Sequence, residues 1–141
     1  MRFVDASALV KRYVQAPDSA RVQRMLRAEA VAVSRLSEVE VTSALARLAR
    51  EGVIAPTQRD RHVAAFVADL EGWHVVELTS VVTATARRLL LQHSLRAGDA
   101  LQLASALELQ RGLGVPLREF VAYDQRLLLA AHAEQLTVVG G

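Results

Sequence analysis

The stretch MRFVDASALV, residues 1–10, decides the fold class of this chain and raises the question of its function. The run that ends at Val4 is too short to be anything but a strand, and Asp5 follows it directly. An Ala, Leu and Val pattern typical of a helix comes next. A carboxylate at the end of a buried strand is either the N-cap of the following helix or a ligand of a metal ion. The rest of the sequence has to separate these two interpretations.

Composition limits the classes of protein that this chain can be. Its 141 residues correspond to one domain, residues 1–141, and a hydrophobic fraction of 52% can fill a single core. The absence of Cys excludes disulfides, thiolate metal sites and Cys nucleophiles, and gives no support for an oxidising compartment. The apolar runs fall far short of the ~20 residues that a membrane span needs. We therefore expect a cytoplasmic protein with no membrane partner.

The charge balance permits a nucleic-acid partner without requiring one. The formal net charge is +2 and the sequence pI is about 9.7. Lys11 is the only lysine, and the many arginines suit bidentate contacts with phosphate. Nucleotide composition also produces such an arginine bias, and we give that explanation the larger share.

Short strand patterns alternate with longer helical patterns along the whole chain. Strands are predicted at residues 2–4, 30–34, 74–78, 119–123 and 136–139, with helices between them. Strands separated by helices imply parallel pairing with crossover helices on both faces. The sequence therefore predicts an α/β fold, a three-layer α/β/α sandwich around a short central parallel sheet. Function in such sheets sits at the carboxyl ends of the strands.

Several acidic residues lie at or just after those predicted ends, or at the start of a helix beside one. Asp5 follows the first strand, Glu38 and Glu40 lie in the first turn after the second, Asp99 opens a helix, and Asp124 follows the strand EFVAY. If the sheet is parallel, these chain-distant carboxylates share one edge and converge.

Helix capping is the alternative explanation for each acid taken singly. Asp is a preferred N-cap, and a negative charge suits the positive end of a helix dipole. Residues 37–40, SEVE, match the S-x-x-E pattern of a capping box. Three further acids, Asp18, Asp60 and Asp69, lie on helices without such placement, and we interpret them as surface residues.

Capping and metal binding predict different electrostatics. Caps on separate helices need not approach one another, whereas clustered carboxylates repel unless protons or a cation neutralise them. Oxygen-only ligands favour Mg²⁺, with Mn²⁺ as a plausible substitute. Such an ion commonly contacts phosphates, so a cluster here indicates hydrolysis of a phosphodiester.

Four motifs together resemble a known family. FVDASALVKRY with Asp5, SEVEVTSALAR with Glu40, LRAGDALQLASAL with Asp99 and FVAYDQRLLLAA with Asp124 resemble the PIN-domain ribonucleases, and more specifically the VapC-type toxins of bacterial toxin–antitoxin pairs. The resemblance extends from the first strand to the last, and the four motifs occur in the family's order.

The resemblance implies a site and an activity. The family's metal-site acids fall on Asp5, Glu40 and Asp99, with Asp124 as the fourth, and the implied activity is Mg²⁺-dependent endoribonuclease cleavage of single-stranded or looped RNA. Glu40 takes the second position in preference to Glu38, because the family's glutamate leads directly into the VTSAL pattern.

Four further residues are candidates for contacts around that site. Ser7 matches a frequent small hydroxyl of the family's first motif, where it either hydrogen-bonds the site or caps the helix. Lys11, Arg12 and Arg96 are expected near the acidic edge, where they could meet phosphates, although solvated helix faces explain each of them as well.

The resemblance also implies partners and shows one departure. VapC-type toxins are inhibited by a cognate antitoxin and usually form homodimers. The family commonly has Thr or Ser two residues before its fourth acid, where this chain has Ala122. A rival interpretation is therefore a catalytically weak or inactive module that binds RNA or a protein partner. A haloacid-dehalogenase-like phosphatase is disfavoured, because it needs a second Asp where Ser7 stands.

Overall fold

A computed structural model describes residues 1–141 and contains one parallel sheet of five strands in the order β3-β2-β1-β4-β5. The strands are β1 Arg2–Val4, β2 Val31–Ser34, β3 His74–Val76, β4 Glu119–Ala122 and β5 Val138–Gly140. The helices are α1 Ala6–Tyr13, α2 Ser19–Ala28, α3 Ser37–Arg50, α4 Pro56–Leu70, α5 Ser80–Gln92, α6 Ala97–Leu113 and α7 Gln125–Ala133. None of these helices combines the length and the hydrophobicity needed to cross a bilayer.

The sheet separates two hydrophobic cores, which confirms the predicted three-layer sandwich. Phe3 of β1 packs with Phe120 of β4 into the core covered by α5, α6 and α7. Its neighbour Val4 belongs to the opposite core, which α1, α2, α3 and α4 cover. Consecutive residues of a strand point to opposite faces, so Phe3 and Val4 of the central strand are both buried, one on each side of the sheet.

The ends of four strands differ from the sequence prediction, and β2 begins at Val31 rather than residue 30. β3 stops at Val76 because the chain turns to Thr79, whose side chain accepts a hydrogen bond from the amide of Val82 and caps α5. β4 ends at Ala122 rather than residue 123. β5 begins at Val138 because the end of α7 still uses the amide of Leu136, and it includes Gly140.

Gly140 belongs to the last strand for a steric reason. A Cβ at this position would lie 1.6 Å from the carbonyl oxygen of Ala122 on the neighbouring strand. Only glycine allows this backbone approach, so the residue is part of the sheet and not of a loose tail.

The strand order positions the functional edge. β1 lies at the centre of the sheet, with β2 on one side and β4 on the other. The connection from β1 runs to β2 and the connection from β4 runs to β5, in opposite directions along the sheet, which opens a crevice at the carboxyl ends of β1 and β4. Asp5 is the first residue beyond β1, and Asp124 is the second residue beyond β4.

Candidate active site

One cleft at the carboxyl edge of the sheet collects all four predicted acids. It has a volume of about 390 Å³, and Asp5, Glu40, Asp99 and Asp124 all line it. The remaining lining residues are Ala6, Ser7, Val10, Ala44, Arg47 and Arg96. The carboxylates come from four separate segments, namely the end of β1, the first turn of α3, the start of α6 and the end of β4.

Asp5 is the most buried of these acids, at 5% exposure, and it is also a helix cap. Its Oδ2 accepts hydrogen bonds from the Ser7 amide (3.0 Å) and the Ser7 hydroxyl (2.5 Å). The same hydroxyl accepts a bond from the Tyr123 amide at 2.9 Å. Ser7 therefore joins the ends of β1 and β4, and both roles considered for it, at the site and in capping, are present. Asp5 both caps α1 and lines the cleft, so the two interpretations of this residue are compatible.

Glu40 is not part of a capping box, so that interpretation of SEVE is wrong. The N-cap of α3 is Leu36, and no side chain of Ser37 or Glu40 bonds a backbone amide of the first turn. Glu40 Oε1 instead accepts a hydrogen bond at 2.7 Å from Gln102 Nε2, which also donates to the Ser37 hydroxyl at 3.0 Å. Glu38 pairs with Arg35 and lies outside the cleft, consistent with the preference for Glu40.

Asp99 and Asp124 share one arginine. Arg96 Nε lies 3.6 Å from Asp99 Oδ2, and its Nη2 lies 3.4 Å from Asp124 Oδ2. Each acid also bonds a backbone amide, Asp99 at Arg96 (3.3 Å) and Asp124 at Leu127 (3.0 Å). The Arg96 side chain is 75% exposed, so this ion bridge is open to solvent and to competing ligands.

Burial raises the pKa values of the two acids that have no cation in contact. Desolvation raises the pKa of Asp5 to about 6, the bonds from Ser7 oppose this shift, and the charges of Glu40 and Asp99 add to it. Desolvation also raises the pKa of Glu40, against the bond from Gln102, with a further rise from the charge of Asp99. Because the charges of Glu40 and Asp99 raise the pKa of Asp5, and that of Asp99 raises the pKa of Glu40, these carboxylates are close enough to interact.

The donor set of the cleft fits a hard divalent cation. All the candidate ligands are carboxylate oxygens, and buried Asp5 and half-buried Glu40 have only neutral hydrogen-bond donors. As the side chains stand, no group of three or more His, Cys, Asp or Glu residues closes around a single metal position. Arg96 occupies the space between Asp99 and Asp124 and supplies the positive charge there.

Two of the predicted phosphate-contacting residues lie elsewhere. Arg12 does not line the cleft, because its guanidinium contacts Asp69 of α4, at 2.8 Å from Nε and 3.4 Å from Nη2. Lys11 lies 3.5 Å from Asp18 and 4.6 Å above the ring of Tyr123. Neither Lys11 nor Arg12 lines the cleft, and of the three predicted basic residues only Arg96 does so.

The interpretation of Asp69 as a solvated surface acid is also wrong. In addition to Arg12, the hydroxyl of Tyr13 donates to Asp69 Oδ2 at 2.6 Å. Burial alone would raise the pKa of Asp69, but the bonds from Arg12 and Tyr13 outweigh it and hold the pKa below its usual value. Asp69 therefore ties α4 to α1.

Sequence reasoning missed three residues of the site region. Arg47, on α3 two turns after Glu40, lines the cleft, and its only acidic contact is Glu51 at 4.0 Å. The i, i+7 spacing from Glu40 was the available signal for it. Gln102 and Gly98 contact Glu40 from α6, across more than fifty residues of sequence, and no local pattern indicates that contact.

Comparisons with known proteins agree with this architecture. The family model described as "PIN domain" matches residues 2–135. Ribonuclease VapC47 of Mycobacterium tuberculosis is 32% identical over 133 residues, which cover 91% of this chain and 88% of the relative. The solved structure of Mycobacterium tuberculosis VapC20, described as a sarcin-ricin loop cleaving toxin, superposes with a TM-score of 0.68 at 16% identity and 97% coverage of both chains. A toxin–antitoxin complex from Klebsiella pneumoniae gives a TM-score of 0.64 at 16% identity, covering 89% of this chain and 88% of that chain.

The chain belongs to the PIN-domain family. Within that family it is similar to the VapC ribonucleases, so the resemblance read from the four motifs is confirmed. The structural likenesses, at 16% identity, support the fold.

Proposed function

We propose that this chain is a metal-dependent endoribonuclease and the toxin of a toxin–antitoxin pair. The observation that carries the proposal is the single cleft in which Asp5, Glu40, Asp99 and Asp124 meet. The chain's similarity to Ribonuclease VapC47 supports RNA as the substrate.

Asp5, Glu40 and Asp99 would hold the metal ion, and Asp124 would complete a second position or orient the attacking water. Mg²⁺ is the expected ion, with Mn²⁺ as a substitute, because every ligand is a carboxylate oxygen. When bound, the ion supplies activation of water and neutralisation of charge on the phosphate. Arg96, which neutralises Asp99 and Asp124 in the metal-free chain, would then be free to contact a phosphate.

The chain's own residues position these groups and the RNA. Ser7 fixes one oxygen of Asp5, and its bond to the Tyr123 amide fixes the distance between the first and fourth acids. Arg47 and Arg96 border the cleft and would pair with phosphates on either side of the scissile bond. In-line attack on a phosphodiester needs an exposed backbone, so we expect a single-stranded or looped substrate.

Cleavage of a mixed pool of tRNA and rRNA tests this function. The purified chain, free of any antitoxin, is incubated with Mg²⁺ or Mn²⁺, and Asp5→Asn and EDTA serve as inactivating controls. Asp60→Asn is a matched control, because Asp60 is an exposed acid paired only with Arg59. Discrete fragments from the wild type and from Asp60→Asn, absent with Asp5→Asn and with EDTA, support the proposal. If the folded protein shows no metal-dependent cleavage, the proposal is overturned.

The proposed partners are RNA, a cognate antitoxin and a second copy of the chain. The Klebsiella pneumoniae neighbour was solved as a toxin–antitoxin complex, which supports the antitoxin. Co-expression with the cognate antitoxin should suppress cleavage, and the antitoxin should co-purify with the chain. Light scattering of the isolated chain should give the mass of a dimer, and a monomeric mass contradicts the homodimer.

The rival interpretation, an inactive binding module, rests on Ala122 alone. This residue is fully buried in β4 among the core residues of the α5–α7 face. The Ser7 hydroxyl, bonded to the amide of the very next residue, Tyr123, supplies a polar group at that strand end. The loss of the usual hydroxyl at position 122 therefore does not leave the edge without one.

A further inference from the structure

Glu40 is held by two residues of α6 that lie one helical turn apart. Gln102 donates to its Oε1 at 2.7 Å, while a Cβ built on Gly98 would lie 2.8 Å from its Oε2. Residues four apart on a helix lie on the same face, so the two oxygens of one carboxylate rest against consecutive turns of α6. We call Gly98 and Gln102 the Glu40 cradle.

The orientation of the Gln102 side chain is set by the charge that it faces. Gln102 is 1% exposed, and its Nε2 donates to both Glu40 and Ser37. Its Oε1 is buried and has no hydrogen-bond partner. An orphaned buried acceptor costs stability, and flipping the amide would bring that oxygen against the carboxylate of Glu40. The fold thus carries a destabilising feature, and in return Gln102 holds Glu40 and Ser37 in place.

Gly98 also lowers the stability of its helix while leaving space for the Glu40 carboxylate. Gly within a helix is less favourable than Ala, and Gly98 lies in the first turn of α6. The nearest atoms to an added Cβ belong to the end of the Glu40 side chain, not to backbone. An alanine there would therefore displace the carboxylate and leave the fold in place.

We propose that the Glu40 cradle makes Glu40 a one-oxygen metal ligand, in which Gln102 occupies Oε1 and Gly98 leaves room for Oε2 to reach the ion. Gly98 and Gln102 are positioning residues that act through Glu40. This inference rests on the proposed function, because it assumes that Glu40 binds the ion. Outer partners that orient a metal ligand are commonly worth about 10–100-fold in metal affinity.

The chain offers a matched control for each variant. Gly112 lies on the same helix, and a Cβ there would meet nothing within 4 Å, so Gly112→Ala tests the effect of the alanine alone. Ser105 is buried one turn beyond Gln102 and bonds Ser34 without touching a carboxylate of the cleft, so Ser105→Ala tests the loss of a buried bond on the same helix.

The test measures Mn²⁺ affinity by isothermal titration calorimetry and thermal unfolding in EDTA on the full chain. For Gly98→Ala and Gln102→Met we expect a Mn²⁺ Kd about 10–100-fold above the wild type, with an unfolding midpoint in EDTA equal to the wild type or higher. Gly112→Ala and Ser105→Ala should keep the wild-type Kd. This split between affinity and stability separates a positioning role from a structural one.

The other outcomes contradict either the Glu40 cradle or the proposed function on which it rests. Wild-type Mn²⁺ affinity in both cradle variants overturns the cradle and leaves the proposed function standing. A lower midpoint in EDTA together with weaker binding in both variants assigns Gly98 and Gln102 to the fold, which also overturns it. Failure of the wild type itself to bind Mn²⁺ overturns the proposed function instead.

Discussion

Asp5 and Asp69 are two acids of the same fold that lie in opposite electrostatic environments. Asp69 receives Arg12 and the Tyr13 hydroxyl, and these bonds hold its pKa below the usual value despite burial. Asp5 is more deeply buried, has only the neutral donors of Ser7, and desolvation raises its pKa to about 6. Asp69 is neutralised by the protein itself. Asp5 is left with a charge that the protein does not neutralise, which is the arrangement that a site for an external cation requires.

Replacing Asp5 should give the largest effect, and activity and stability should change in opposite directions. Asp5→Asn should lower RNA cleavage on the order of 10³-fold, because a metal ligand of this kind is worth several kcal/mol in the transition state. In EDTA at pH 7.5 the same variant should raise the free energy of unfolding by about 1–3 kcal/mol, as the gap between a pKa of about 6 and the ordinary 3.8 is worth about 1.4 kcal/mol per pH unit.

The pH dependence of the Asp5 effect has a defined sign. Between pH 3.8 and about 6 the folded chain keeps a proton on Asp5 that the unfolded chain has released, so this residue lowers stability progressively as the pH rises. The gain from Asp5→Asn should therefore be complete above about pH 6 and absent near pH 3.5. Urea unfolding in EDTA at several pH values measures it. A variant less stable than the wild type at pH 7.5 would show that the Ser7 bonds outweigh the burial of the charge.

Replacing Asp69 should lower stability and leave activity unchanged, the opposite pattern to that of Asp5. Asp69→Asn leaves the half-buried guanidinium of Arg12 without its counter-charge, and we expect a loss of about 2 kcal/mol in the free energy of unfolding. The kcat/KM for RNA should stay within a factor of two of the wild type, because Asp69 lies outside the cleft. Urea unfolding and a cleavage assay well below the unfolding midpoint measure the two quantities. A large drop in kcat/KM without loss of stability would place Asp69 among the functional acids and remove the contrast.

The raised pKa values of Asp5 and Glu40 should make metal binding depend on pH. Below about pH 6 a bound ion has to displace the proton of Asp5, so the Mn²⁺ affinity should fall by up to about tenfold per pH unit. Calorimetric titration at pH 7.5 and 5.5 checks this, with Asp60→Asn expected to follow the wild type. Equal affinity at the two pH values would mean that Asp5 is already ionised in the metal-free chain.

The sequence indicated the functional edge because parallel sheets gather their carboxyl ends, and that rule needs only the strand pattern and the acids after it. It could not separate Glu40 from a capping box, since SEVE satisfies that motif, and only the structure, with Leu36 as the N-cap and Gln102 bonded to Glu40, decides the matter. Asp69 looked like a surface acid because its partners, Arg12 and Tyr13, are more than fifty residues away. Contacts between helices that are distant in sequence leave no local pattern, and they distinguish a buried, paired acid from a solvated one.

A pair of conservative changes gives the smallest effect and separates the two arginine environments. Lys keeps the charge of Arg but loses the planar pair of donors that holds a carboxylate or phosphate at two points. Arg12→Lys should lower the free energy of unfolding by about 0.5–1 kcal/mol and leave kcat/KM for RNA unchanged, since Arg12 bonds Asp69 with both Nε and Nη2. Arg96→Lys should leave stability unchanged, because its side chain is 75% exposed, and should lower kcat/KM several-fold. If Arg12→Lys lowered kcat/KM while stability stayed intact, Arg12 would contact RNA after all, and the Asp69 network would belong to the substrate path and not only to the fold.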